Sequence, residues 1–396
     1  MKNLTALFLA VLFASPFPSR AESAFILDAT AKVRIITSSP SCPEISFDGK
    51  KETMNARMEP APGFPVLVCE AAVPGGTKRI TSGPVSLPPP VREPKRIVVL
   101  GDTGCRMKGK VFQDCRTKWP FREIADAAAK FKPDLVIHVG DYLYRESPCP
   151  KGGCTYGYGF DAWNADFFSP AQELLKAAPW IFVRGNHEAC FRAGLGWFRF
   201  LATEPSESCK DYGEPYAVAI SKDTQLIVFD SSAGLSNGHY QSEFESVEKL
   251  AKAYPRNFFL SHHPVLGFSE WHRTLHPGNK ALQSAMAESG KKALYPAGVD
   301  AAFHGHVHLF EALDFKSDDP VTFVSGNSGT MTDDALPQDL PEGAEPYPGA
   351  IVKHFFSTSN FGFMTLEKKG KSWLVTERDE QGRPVWSCTL EGRQCR

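Results

Sequence analysis

From Lys95 onward, short runs of consecutive apolar residues alternate with segments whose apolar residues recur every three or four positions. RIVVLGD (96–102), DLVIHVGD (134–141) and WIFVRGN (180–186) read as buried strands that each end in polar residues. Between them, WPFREIADAAAKF places Phe121, Ile124, Ala125 and Ala128 on one helical face, and SPAQELLKAA is a second helix with Pro170 near its start. PYAVAI and QLIVFDS, the helix QSEFESVEKLAKA, and the strand of NFFLSHHP follow. AAFHGHVHLFEAL, VTFVSGN and FGFMTLE are mostly strand. The expected class is α/β with a sheet-rich second half and no internal repeat. Polar residues gather where strands end, which is where open α/β folds place their sites.

Before Lys95 the pattern changes. KVRIITS, PEISFDG and FPVLVCEAAV are β-rich runs parted by Pro and Gly, which predict a small β-sandwich-like domain over residues 22–87. The proline-rich stretch SLPPPVREP (86–94) marks the boundary, with residues 88–94 as linker and 95–396 as the catalytic domain. At the very start, Lys2, the apolar run LTALFLAVLFA and the small residues Ser19 and Ala21 read as a secretory signal over residues 1–21. That run is too short to span a membrane, and no other apolar stretch is longer.

Composition narrows the class. Removing residues 1–21 takes Lys2 and Arg20 from the 44 basic residues and none of the 45 acidic ones, leaving a net charge of −3. A dedicated nucleic-acid binder would carry a basic surplus. The ten cysteines fall as near neighbours: 42 and 69, 105 and 115, 149 and 154, 190 and 209, 388 and 395. An even count behind a signal points to disulfides in an oxidising compartment, secreted or periplasmic. Spacing leaves their connectivity open; adjacent pairing is the expectation, and no CxxC pair suggests a thiolate metal site.

Five strand-end motifs stand in order: GDTG (101–104), GDYLY (140–144), GNHE (185–188), SHHP (261–264) and GHVH (305–308). Singly, each is compatible with an ordinary turn. Together they supply two Asp, one Asn and at least three His, a donor set suited to iron, zinc or manganese. His306 and His308 project to the same side of an extended segment because strand side chains alternate.

This order resembles the calcineurin-like metallophosphoesterase superfamily from about Ile97 to Phe363. The superfamily's first motif is usually Asp-x-His; here it is Asp102, Thr103, Gly104, so one ligand is missing. Purple acid phosphatases within it combine Asp-x-Gly with Gly-Asp-x-x-Tyr, and Tyr144 follows Asp141 at that spacing. The resemblance implies a metallophosphoesterase β-sandwich flanked by helices and two metal ions. One, Fe(III), would take Asp102, Asp141, Tyr144 and His308; the other, a divalent zinc, iron or manganese, would take Asp141, Asn186, His262 and His306. The resemblance further implies hydrolysis of small-molecule phosphate monoesters by metal-bound hydroxide. A phosphodiesterase acting on nucleotide or glycerophospho-diesters is the alternative, followed by a ligand-binding member without catalysis.

Around the motifs, His187 is the nearest candidate proton donor, with a supporting role left open, and Glu188 is a candidate to orient an imidazole. His239, His272 and His276 are alternative donors in loops. Arg106, Arg145, Arg192 and His263 adjoin ligand motifs and are candidate substrate contacts. Tyr156, Tyr158 and Trp163, in a Gly-rich insertion, could stack on an aromatic leaving group. His138 and His304 are expected in the core.

Overall fold

The computed structural model describes residues 21–233, 237–290 and 294–396. All of the expected leader except Ala21 falls outside these ranges, and so does the side chain of His239.

Two large sheets lie face to face. The first runs from Gln394–Cys395 through Pro384–Glu391, Ser372–Asp379, Gly362–Lys369, Arg96–Leu100, Leu135–His138 and Trp180–Phe182. It continues through Ala21–Leu27, Lys32–Thr37, Leu67–Ala72 and Asn55–Met58. The second has the order Tyr216–Ala219, Thr224–Val228, Arg256–Leu260, Val299–His304, Val321–Ser325, Phe310–Phe315, Val352–Thr358. At the centre of each sheet the strands are parallel, and these are the ones with uninterrupted apolar runs, as burial on both faces requires.

Alternation along each strand sorts its residues between two cores. Ile97, Val99 and Ile137 point inward to meet Leu226, Phe258, Leu260 and Phe303 of the opposite sheet. Val98, Leu100 and Val136 point outward, under helices Phe121–Lys130 and Gln172–Ala177. Helices Asn237–Ala251 and Lys280–Gly290 cover the second sheet's outer face. The result is the expected helix-flanked β-sandwich.

Helix Phe121–Lys130 buries the four expected residues. At ten residues it is too short to persist alone, so that apolar face holds it. It ends where Lys132 turns left-handed at φ 54° and Pro133 follows.

The N-terminal strands are all β, and four of them extend the first sheet, joined through a parallel Leu27–Trp180 pairing. The other four, Glu44–Phe47, Lys50–Thr53, Ile80–Ser82 and Val85–Leu87, form a small sheet packed over Ile26, Val33, Ile35 and Cys69. Arg34 and Arg57 reach across from this region. They donate to the carbonyls of Phe198, Phe200 and Ala202 at the end of helix Gly194–Phe200, while Glu70 neutralises both. This covers helix-end carbonyls that would otherwise lack partners.

All ten cysteines pair with their sequence neighbours. Several elements were not legible beforehand: helix Lys280–Gly290, strands Ser372–Asp379 and Pro384–Glu391, and the hairpin Phe268–Trp271/Thr274–Pro277. The hairpin turns on His272 and Arg273, both left-handed at φ 53° and 60°, in place of the usual Asn-Gly signal.

Candidate metal centre

The five motifs converge at the carboxyl ends of the parallel strands. Asp102, Asp141 and His306 all adopt left-handed backbones, with φ of 56°, 60° and 72°. Each such non-glycine conformation costs on the order of 1 kcal/mol or more, and three together mark a place where geometry outweighs local preference. Glycine is needed beside them. A Cβ on Gly305 would fall 2.5 Å from Asp102 Oδ2, and one on Gly185 would collide with the Asp141 carboxylate.

Glu188 holds two of these turns together. Its buried carboxylate accepts N–H groups from Asp141 (3.1 Å), Tyr142 (2.9 Å), Leu143 (3.3 Å) and Gly185 (3.2 Å). It anchors backbone, then, where an imidazole partner was expected.

Two donor clusters result. In the first, the Tyr144 hydroxyl lies 2.9 Å from Asp102 Oδ1, 2.8 Å from Asp141 Oδ2 and 2.9 Å from His308 Nε2. His308 Nδ1 lies 3.0 Å from the Met331 carbonyl and 3.2 Å from the Arg106 guanidinium. One phenolic proton cannot satisfy both carboxylates at once. Burial and the two carboxylates also push the phenol well above its ordinary value, so ionising it there requires a cation.

In the second cluster, Asn186 Oδ1 lies 3.0 Å from His262 Nε2 and 3.0 Å from His306 Nδ1. His262 Nε2 is 3.2 Å from the same Asp141 Oδ2. The other His262 nitrogen faces the Val139 carbonyl at 2.9 Å. Burial works against a charged His262, yet the Asp141 carboxylate lifts it to about 9. Both slots are electron-rich, oxygen- and imidazole-lined and share one carboxylate. They fit a pair of cations, and all seven residues expected as ligands stand in them.

An open cavity of about 670 Å³ lies over the clusters. Of the four expected substrate contacts, only Arg106 lines it, with its guanidinium 3.2 Å from the His308 ring and over the Tyr144 face. Arg145 turns away to a buried ion pair with Asp166 (2.5 Å) and packs on Trp119. Arg192 is taken up by Glu146, by the Asn186 carbonyl and by His187 Nε2 (2.8 Å). His263 binds Ser231 Oγ at 3.0 Å and lies against His306. Strand-end position brought these three near the ligands, but buried partners claim their polar atoms.

His187 lines the cavity and lies against Tyr144, with ring centres 3.7 Å apart and planes tilted by 36°. Its Nδ1 faces Leu143 O and Glu146, both at 3.1 Å, and burial lowers its pKa. His138 and His304 are buried and partnered, by Thr103 and Ser261, as expected. Trp163 is core, and neither Tyr156 nor Tyr158 lines the cavity. What the sequence did not reveal is the rim hairpin, which brings Trp271, His272 and His276 to the cavity, and Asp333, which accepts the His308 N–H at 2.9 Å.

Residues 95–310 match the calcineurin-like phosphoesterase family model. The chain is 23% identical over 276 residues to a phosphoenolpyruvate phosphatase of Allium cepa, covering 65% of this chain and 54% of that protein. It is 23% identical over 277 residues to purple acid phosphatase 23 of Arabidopsis thaliana, covering 65% and 56%. It thus spans about half the length of the curated relatives it matches. Among solved structures, a purple acid phosphatase from yellow lupin (Lupinus luteus) aligns with a TM-score of 0.62 at 15% identity, over 93% of this chain and 73% of that one. PhoD aligns at 0.53 and 12%, over 96% and 95%. Sandwich, motif order and matched segment agree: the chain belongs to the calcineurin-like phosphoesterase family.

Proposed function

We propose that this chain is a secreted or periplasmic metal-dependent phosphatase that hydrolyses small-molecule phosphate monoesters at a two-metal site. The observation that carries the reading is the Tyr144 hydroxyl among Asp102, Asp141 and His308, where one phenolic proton faces two buried carboxylates. These four would hold Fe(III), since phenolate and carboxylate are hard donors. Asn186, His262 and His306, with Asp141 shared, would hold a divalent zinc, iron or manganese ion. Held by these residues, a pair of cations would supply charge neutralisation for a phosphoryl group and activation of a water nucleophile near neutral pH.

The chain's own residues do the rest. Arg106 points a fixed positive charge at the cavity beside the first cluster. His187, neutral and accepting from Arg192, supports the Tyr144 ring, and of the two roles open to it the geometry favours this one. The leaving oxygen's proton then falls to His272 or His276 on the rim. The five disulfides favour an oxidising compartment. Among the described residues, no helix is long and apolar enough to cross a membrane. We read residues 22–87 as a β domain that braces the catalytic domain over 95–396, with 88–94 as linker.

The test is the visible spectrum and metal content of natively purified protein beside Tyr144→Phe, with a substrate panel. A broad visible band with iron, lost in the variant, together with monoester turnover, is expected. Colourless, iron-free protein that is unchanged in the variant overturns the tyrosinate site. Preferential diester cleavage replaces the monoesterase reading with the diesterase one, and metal-loaded protein inert to both leaves only ligand binding.

A further inference from the structure

The cavity is far larger than a phosphoryl group requires and falls in the range of sites that enclose a whole small ligand. Its outer wall is the hairpin Phe268–Trp271/Thr274–Pro277. Paired residues on an antiparallel ribbon share a face, so Ser269 with His276 and Trp271 with Thr274 lie on one side. All four line the cavity. The opposite face carries Phe268, buried in the second sheet's outer core, and Leu275, packed against it; Glu270, paired with Leu275, also reaches the cavity from the ribbon's edge. The face with Ser269, Trp271, Thr274 and His276 is thus turned wholly to the cavity, and the other is anchored in the core.

Its base is fixed. Phe268 N–H donates to both oxygens of buried Glu311, 3.1 Å each, on the strand that follows His308. Gly278 N–H closes the ribbon on Gly267 O at 2.8 Å. A ribbon anchored this way holds its tip at a set place over the metal ligands. At that tip Trp271 is 64% exposed, although tryptophan is a residue that folding usually covers. The insertion aromatics offer no competing surface inside the cavity, since Trp163 is buried and Tyr156 and Tyr158 lie outside its lining.

We infer that Trp271 is the stacking platform for a flat leaving group, and that the substrates are phosphate monoesters of aromatic alcohols or of nucleosides. This rests on the phosphatase reading above and adds a substrate class to it. The indole presents a rigid apolar face to a ring, whereas an aliphatic alcohol of similar size gains little from it.

The test compares kcat/KM for 4-nitrophenyl phosphate and for AMP with that for glycerol 2-phosphate, in native protein, Trp271→Ala and Trp271→Phe. Trp271→Ala should lower both aromatic-to-aliphatic ratios by roughly tenfold, mainly through KM, and Trp271→Phe should restore most of the loss. Ratios that stay within about twofold of native overturn the platform. Native protein that turns over none of the three defeats the phosphatase reading, and AMP binding measured by titration calorimetry still decides the platform. Binding weakened in Trp271→Ala supports it, and equal binding refutes it.

Discussion

The two donor clusters are built from similar parts yet differ in access. Around Tyr144 the side chains show little surface: Asp102, Asp141 and Tyr144 have at most 1% exposure and His308 has 5%, although Asp141, Tyr144 and His308 form part of the cavity floor. Around Asn186, His262 is buried, but Asn186 is only partly covered and His306 is exposed to the cavity. The more enclosed slot gathers two carboxylates and a phenol, while the open one has Asp141 as its single acid. On the two-metal proposal, charge and enclosure point the same way, to a tighter ion in the first slot and a more exchangeable one in the second.

The largest effect should come from the residue the clusters share. Asp141→Asn should strip both ions and cut turnover by more than the roughly 10- to 100-fold that an outer partner's loss costs. Metal analysis that still finds two ions would break the idea of a common carboxylate. Dialysis against a chelator should empty the slots in sequence, with metal content falling from two to one while the visible band persists. Loss of the band first would reverse the comparison. Glu188→Gln should weaken both ions together, by roughly 10- to 100-fold in affinity, because its acceptor oxygens hold the Asp141 and Gly185 turns. An effect on one ion alone would place Glu188 within a single slot.

The smallest effect tests the open side's support. Burial pushes the Glu311 carboxyl, which anchors the rim hairpin, up to about 8 from its ordinary 4.5. The folded form thus binds the proton more tightly than the unfolded chain. Its contribution to stability is present in full below the unfolded value and is lost as pH rises through about 8. The slope is at most about 1.4 kcal/mol per pH unit. Thermal unfolding at pH 5.5 and 8.5 should show native protein weakened at the higher pH and Glu311→Gln weakened less. Parallel slopes in the two proteins would reject the assignment.

Much of this was legible in the chain alone. The apolar runs of the central strands are long enough to require burial on both faces, and five strands end in a motif, so the fold class and the place of the site could be read together. Tyr144 was named from the resemblance to purple acid phosphatases, whose paired Asp-x-Gly and Gly-Asp-x-x-Tyr motifs match residues 102–104 and 140–144. Neighbouring cysteines paired because the loops that carry them close locally.

Other features depended on contacts between distant segments. Arg145, Arg192 and His263 adjoin the motifs in sequence, but Asp166, Glu146 and Ser231 decide where they point. Glu188 follows Asn186 and His187, yet three of its four partners lie more than forty residues earlier. The rim hairpin carries no turn signal and too few apolar residues to be read as a strand pair; its anchor, Glu311, comes from another strand of the sandwich. Local pattern determined the strands and which polar residues stand at their ends, because spacing along a strand sets the face on which a side chain emerges. The tertiary structure alone decided which polar groups meet water and which are consumed by partners, because that depends on sheet register and on loops packed from far along the chain.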